Sequence, residues 1–211
     1  MKRIVVLISG RGSNLRALVE ARLPIEVAAV ISNRPDAAGL AFAAGHGIAT
    51  QVVDHQAFTG REAFDIALAD AIDAHQPDLV VMAGFMRLLT PGFIRRFAGR
   101  MINIHPALLP AFTGLDTHQR AIERGCCVHG CTVHYVTEGM DEGPIIAQAS
   151  VPVLPDDDAD RLAARVLAEE HRLYPAVLRA WCEGAFALEG RRVAWHKACT
   201  WPVASHYPTA C

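Results

Sequence analysis

The sequence predicts an α/β protein built on a doubly wound, mostly parallel sheet, with an antiparallel excursion in its C-terminal half. Three observations carry this prediction. Residues 3–8 are a charged start followed by an unbroken run of branched apolar residues, the pattern of a strand buried on both faces. Strand-length apolar runs then alternate with segments whose apolar residues recur at helical spacing, which is how parallel strands with crossover helices read. After Pro110 the pattern changes: two alternating stretches, 129–136 and 144–151, flank the polar loop 137–143, as an antiparallel pair would.

Taken in order, the first strand runs into the glycine-rich turn Ser9-Gly10-Arg11-Gly12-Ser13-Asn14. Leu15, Leu18 and Val19 follow on one helical stripe, with Ser13 or Asn14 placed to cap that helix. A second strand covers 25–31, an Ala-rich helix 37–45 ends near Gly45 and Gly47, and a short third strand covers 49–53. Phe64, Leu68 and Ile72 form the stripe of a helix over 61–75, which Pro77-Asp78 breaks before the strand 79–83. Thr90-Pro91 reads as a cap with proline at the first helical position, giving a helix over 91–98 and then the strand 101–105. A helix at 116–124 ends at Gly125. The longest helix runs from Asp156 to about Cys182, with three aspartates complementing its positive end and Leu162, Val166 and Leu173 on its apolar stripe. Glu170 falls on that stripe. A carboxylate there either has a partner or ligand, or lies at the stripe's solvent edge like Glu169. One or two short strands follow residue 185, and the remaining tail has little pattern.

The 211 residues, 52% of them hydrophobic, suffice for one substantial core. With 20 Lys and Arg against 22 Asp and Glu, and no basic block interleaved with aromatics, nucleic acid is not expected as a partner. The apolar runs are far short of the ~18 to 20 residues of a membrane span, and the N-terminus does not read as a signal peptide, so a soluble, cytoplasmic protein is expected. The six cysteines then read as reduced thiols, mostly small buried apolar residues. Cys126, Cys127, His129, Cys131 and His134 lack the Cys-x-x-Cys pairing of a structural zinc site, and the last of them alternate as in a plain strand, so no metal is expected.

Chemistry concentrates at Met101-Ile-Asn-Ile-His-Pro106. Residues i and i+2 of a strand share a face, so the Asn103 amide and the His105 imidazole emerge side by side, either as a site or as satisfied polar groups at a strand end. Loop 137–143 supplies Asp141 between Gly139 and Gly143. If it folds back onto the same edge, its charge favours the protonated form of His105, and the two donors then suit a tetrahedral oxyanion in acyl transfer. The turn at Gly10 to Asn14 offers free backbone N–H groups at a helix start, suited to a terminal phosphate or serving only as a structural turn. It has Leu15 where the dinucleotide fingerprint needs a third glycine, and it lacks the Gly-Lys-Ser/Thr of a Walker loop.

Several motifs together carry a family resemblance. Gly-Arg-Gly-Ser-Asn at 10–14, Ala-Gly-Phe-Met-Arg at 83–87, Asn-Ile-His-Pro-x-Leu-Leu-Pro at 103–110, Gly-Cys-Thr-Val-His-Tyr-Val at 130–136 and Asp-x-Gly-Pro-Ile-Ile at 141–146 resemble the folate-dependent formyltransferase family over roughly residues 3–190. The N-terminal Ser-Gly-x-Gly-Ser-Asn and Glu-His-x-x-Tyr-Pro at 170–175 narrow it to the branch acting on glycinamide ribonucleotide. The resemblance implies a Rossmann-like formyltransferase fold over 1–190, with a phosphate-binding N-terminal half, a folate-binding and catalytic C-terminal half, and a tail at 191–211. It implies formyl transfer from the co-substrate 10-formyltetrahydrofolate to the amine of N1-(5-phosphoribosyl)glycinamide in purine (IMP) biosynthesis, by a monomer or homodimer. By position, Gly12, Ser13 and Asn14 would hold the phosphate and Glu170 the ribose hydroxyls. Met86, Arg87, Leu88 and Leu89, with Glu138, Gly139, Met140 and Asp141 and also Asn103, would enclose the folate; Arg61 and Arg87 would meet its glutamate tail. Asn103 and His105 would stabilise the oxyanion, with His105 the proton donor and Asp141 its tuner.

Ala107 stands where relatives often carry Ser, and the stretch 110–116 lacks their basic or histidine residue, ending in Asp116; both departures fall near the expected glycinamide pocket. Two other readings compete. A formyltetrahydrofolate hydrolase would discard the amine, but such proteins usually carry an N-terminal regulatory domain, whereas this chain starts at strand one. A non-catalytic nucleotide-binding α/β module would leave Asn103, His105 and Asp141 without a task.

Overall fold

The first strand, β1 (Lys2–Ile8), has Ile4 to Ile8 fully buried in a computed structural model that describes residues 1–199, 201 and 205–206. Each such side chain removed from water contributes about 1.5–3 kcal/mol, so this run anchors the N-terminal core. The chain divides into two compact units, Met1–Asn103 and Ile104–Cys211.

In the first unit β1 is followed by α1 (Ser13–Glu20), β2 (Ile25–Ser32), α2 (Ala38–Gly45), β3 (Thr50–Val52), α3 (Arg61–Asp73), β4 (Leu79–Met82) and α4 (Pro91–Arg96). The strand β5 (Met101–His105) begins in this unit. The strands lie parallel in the order β5-β4-β1-β2-β3, with Ile4 opposite Leu79 on one side of β1 and Lys2 opposite Ile25 on the other. Strand order reverses between β1 and β4, the switch point at which open α/β sheets bind ligands beyond their carboxyl ends. The segments leaving those two ends are Ser9 to Gly12 and Ala83 to Thr90.

Two local readings change here. The N-cap of α1 is Gly12, not Ser13 or Asn14, and no side chain caps the helix; Ser13 is already its first residue. The cause is non-local. Gly12 has φ 73°, and a Cβ there would stand 2.8 Å from the Gly39 Cα, so packing against α2 requires a left-handed glycine where a capping side chain would otherwise sit. On α3 the expected stripe of Phe64, Leu68 and Ile72 is buried, but so is Asp65, 2% exposed.

The second unit contains α5 (Thr117–Glu123), β6 (Val128–Tyr135), β7 (Ile145–Pro152), α6 (Ala159–Cys182), β8 (Phe186–Glu189), β9 (Arg192–Trp195) and the two-residue β10 (Ser205–His206). β6 and β7 pair antiparallel, with a register shift between Val133 and His134; β7 also pairs antiparallel with β10, and β8 with β9. The predicted class is therefore the observed one, a parallel α/β sheet with an antiparallel second half. β8 and β9 flank the boundary expected at 190; within the tail expected at 191–211, residue 200 and residues 202–204 and 207–211 lie outside the described residues.

Helix α6 starts at Ala159, three residues after the predicted Asp156. Asp158 caps it by accepting from the Arg161 N–H at 2.8 Å, while Asp157 turns back to accept from the Leu154 N–H at 2.8 Å and pairs with Arg165 at 2.7 Å. The cysteine reading is also corrected: of the five cysteines described, only Cys131 is buried, Cys127 is exposed, and Cys126, Cys182 and Cys199 are half-buried. They flank elements more often than they occupy core positions. No helix among the described residues is long and apolar enough to cross a membrane.

Candidate active site

His105 ends β5 and is 5% exposed. Each of its ring nitrogens faces an oxygen. Nε2 lies 2.9 Å from the Phe112 carbonyl oxygen, and Nδ1 lies 3.4 Å from Asp141 Oδ2. Both neighbours are acceptors, so each ring nitrogen faces an oxygen to which an N–H could donate. The loop that sequence alone could only suppose to fold back does so: Asp141 comes to His105 and also accepts from the Gly114 N–H at 2.9 Å.

Backbone geometry holds Asp141 there. It takes φ 57°, and Gly143 lies so close to the Tyr135 carbonyl that a Cβ would collide with it. The segment facing it is similarly bent, with Phe112 at φ 57° and Asp116 at φ 56° on either side of Gly114. Arg120 donates to the Thr113 carbonyl at 2.7 Å and the Leu115 carbonyl at 3.1 Å, tying this segment to α5. The residues just after His105 are fixed from below. Thr132 on β6 donates its hydroxyl to the Ala107 carbonyl at 2.7 Å and accepts from the Leu109 N–H at 3.0 Å; Thr117 donates to the Pro106 carbonyl at 2.6 Å.

A residue not singled out for the site belongs beside it. His134 Nε2 stands 3.8 Å from Asp141 Oδ1, and its Nδ1 stands 2.9 Å from the Tyr135 carbonyl oxygen. Burial lowers the His134 pKa from that of a free imidazole, against the opposing pull of the Tyr135 carbonyl and Asp141. A second histidine pair packs behind Phe112: the His129 ring lies 5.9 Å from it and 5.2 Å from His118. Burial pushes the His129 pKa down to about 4, with His118 adding to the shift; burial first and His105 second lower His118.

Asn103 precedes His105 by two on β5 and is half-buried. Glu170 is 7% exposed among the buried residues of α6, which settles it on the core stripe and not at its solvent edge. The thiol of Cys131 and the phenol of Tyr174 both titrate above their ordinary ranges, by burial first and Glu170's charge second. Glu138 and Met140 are exposed on the loop before Asp141, and Gly139 is half-buried there.

In the first unit the candidates form two groups. Gly12, Ser13 and Asn14 open α1, and Asn14 is buried. Met86 and Leu88 are 71% and 56% exposed on the segment after β4, while Arg87 and Leu89 are half-buried. The Arg87 guanidinium lies 5.7 Å from the centre of the Phe64 ring, one turn along α3 from the exposed Arg61. Among the described residues no three His, Cys, Asp or Glu side chains converge as a metal site would require.

The architecture and the His105–Asp141 pair define a class: a doubly wound α/β fold carrying a buried imidazole paired with a half-buried carboxylate, with a glycine turn after its first strand. The chain belongs to the formyl transferase family of enzymes, whose family model matches residues 2–178. It is 47% identical over 196 residues to a phosphoribosylglycinamide formyltransferase of Escherichia coli (strain K12), covering 91% of this chain and 92% of that one. Among solved structures, glycinamide ribonucleotide transformylase 1 from Symbiobacterium toebii superposes with a TM-score of 0.90 at 50% identity, covering 93% of this chain and 95% of that one. A phosphoribosylglycinamide formyltransferase from Coxiella burnetii superposes at 0.88 with 46% identity, covering 92% and 93%.

Proposed function

We propose that this chain transfers the formyl group of 10-formyltetrahydrofolate to the glycyl amine of N1-(5-phosphoribosyl)glycinamide, a step of purine biosynthesis. The observation that carries the reading is the pairing of His105, buried on the strand that bears Asn103, with the half-buried Asp141 of the loop after β6, in a chain alike over nine-tenths of its length to enzymes named for that reaction. The amine attacks the formyl carbon and a C–N bond forms. The carbonyl electrons move to oxygen, which the Asn103 amide and the His105 imidazolium stabilise. The intermediate collapses as the bond to the folate nitrogen breaks. His105 delivers a proton to that nitrogen, and Asp141 stabilises the positive ring and helps carry away the proton of the amine. In this reading the formyl oxygen takes the place of the Phe112 carbonyl on His105 Nε2.

The remaining assignments belong to the same proposal. Gly12, Ser13 and Asn14 take the substrate phosphate through backbone N–H groups and short polar side chains, and Glu170 takes the ribose hydroxyls. Met86 to Leu89 and Glu138 to Asp141 enclose the pterin, and Arg61 and Arg87 meet the glutamate tail. The fold domain is assigned to 1–190. The test is a steady-state assay of tetrahydrofolate release with and without glycinamide ribonucleotide. Release that depends on the amine substrate and yields its formylated product supports the transferase; release at the same rate without it overturns the transferase in favour of a hydrolase.

A further inference from the structure

The segment Gly84 to Thr90 leaves the carboxyl end of β4 at the switch point and carries no helix or strand of its own before α4. It exposes Met86 and Leu88, yet its backbone is fastened at both ends by buried side chains. At the near end Ser9, 6% exposed, makes a two-point clasp. Its N–H donates to the Gly84 carbonyl at 3.1 Å, and its hydroxyl accepts from the Met86 N–H at 2.7 Å. A hydroxyl can donate or accept toward either side, so something must orient it. Asn33 does: the Ser9 hydroxyl donates to Asn33 Oδ1 at 2.6 Å, leaving a lone pair for Met86. Asn33 is itself 2% exposed and is held at the end of β2 by His55, whose Nδ1 lies 2.8 Å from the Asn33 carbonyl oxygen.

At the far end Asp65 performs the matching task. Its Oδ2 accepts from the Thr90 N–H at 2.6 Å, and Thr90 then caps α4 by accepting from the Phe93 N–H at 3.4 Å. Burying a carboxylate in the apolar face of α3 is unfavourable, the more so because Asp65 Oδ1 has no hydrogen-bond partner among the described residues. A core helix gains nothing in packing from that charge. What it gains is a strong, directional acceptor for one backbone N–H of the segment.

We propose that Ser9, oriented by Asn33, and Asp65 are positioning residues that preset the Gly84–Thr90 segment as a rigid platform for the folate co-substrate. This rests on the reading of Met86 to Leu89 as folate-contacting. None of the three touches the reacting atoms. They act by sparing the segment the ordering that binding would otherwise cost.

The measurement is the KM for 10-formyltetrahydrofolate at saturating glycinamide ribonucleotide, together with kcat, the KM for glycinamide ribonucleotide, and the melting temperature. Ser9→Ala and Asp65→Leu are expected to raise the folate KM about three- to tenfold, the loss of one net hydrogen bond, with kcat and the other KM within about twofold. Asp65→Asn, which keeps an acceptor for Thr90, is expected to restore the folate KM to within about twofold of the parent. A folate KM unchanged in Ser9→Ala and Asp65→Leu, while Leu88→Asp raises it, overturns the positioning role and leaves the folate reading intact. If Leu88→Asp also leaves it unchanged, the folate reading of the segment fails and the proposal fails with it. Loss of both KM values and kcat in step with melting temperature, or no rescue by Asn, marks the residues as merely structural and also overturns the proposal. Should Asp65→Leu fail to fold, Ser9→Ala and Asn33→Leu carry the same test.

Discussion

His105 Nδ1 stands 3.4 Å from Asp141 Oδ2, and that same oxygen accepts the Gly114 N–H at 2.9 Å. Asp141 therefore has two tasks, one electrostatic and one structural, and they can be separated. Asn at 141 keeps an acceptor for Gly114 but loses the charge facing His105. Asp141→Asn is accordingly expected to retain the fold and melting temperature while lowering turnover by about 10² to 10⁴. His105→Ala is expected to fall in the same range. Near-parental kcat in both variants would remove the proposed acid and its tuner from the mechanism.

Asn103 has a narrower role, as a neutral donor to the oxyanion. Removing one such donor lowers kcat by about 10² to 10³. Asn103→Ala is expected to show that loss in kcat, with the two KM values little changed, because the interaction strengthens only as charge develops on oxygen. An effect confined to KM would place Asn103 in ground-state binding instead.

The N-terminal turn offers a third check. Ser13→Ala and Asn14→Ala are expected to raise the KM for the phosphorylated substrate and to leave the folate KM alone. An unchanged KM in both would put the phosphate elsewhere. The left-handed Gly12 packed on Gly39 makes Gly12→Ala a poorer probe, since it would disturb α1 before it altered any ligand contact.

Which of these features could be read from the sequence follows from how local they are. The buried strands were legible because runs such as Ile4 to Ile8 need no partner to be recognised, and the stripes of α3 and α6 because their spacing is internal to each helix. Asn103 and His105 were legible as a pair because the period of a strand is fixed. That Asp141 would reach His105 was only conditional, since it depends on the bend at Gly143 against Tyr135. His134 was read as an ordinary strand position; its approach to Asp141 accompanies the register shift between Val133 and His134, a property of the pairing with β7 that periodicity in β6 does not encode. The cap of α1 falls at Gly12 for the same reason, because Gly39 lies outside the local pattern.

Below the active site, Thr132 is a buried hub. Its hydroxyl donates to the Ala107 carbonyl and accepts from the Leu109 N–H at 3.0 Å and from Gln148 Nε2 at 2.9 Å, while Gln148 also donates to the Leu109 carbonyl at 2.9 Å. Thr132→Val keeps the shape and takes the hydroxyl away from the Ala107 carbonyl and the Leu109 N–H, at a cost of about 1–3 kcal/mol. Chemical denaturation is expected to show that loss. Since Ala107 to Leu109 follow His105 directly, kcat is expected to fall as well. A variant as stable as the parent would show that the network can be replaced by packing alone.

The histidines behind Phe112 predict how stability depends on pH. Folding lowers the His129 pKa from its ordinary 6.5 to about 4, chiefly by burial. Between those values the unfolded chain binds a proton that the folded chain refuses, so stability falls as pH falls. The contribution is fully present above about pH 6.5 and is lost progressively toward pH 4. His118 and His134 are shifted in the same direction, so they too disfavour the folded chain as pH falls below about 6.5. Asp157 does not blur it, because Arg165 holds that carboxyl down from its ordinary 3.8 to about 2, so its contribution is lost between those values, below this window. The melting temperature is therefore expected to drop between pH 7.5 and pH 5, and His129→Gln, which removes one titrating ring, is expected to show a smaller drop. An equal drop in parent and variant would show that His129 is not buried in its neutral form.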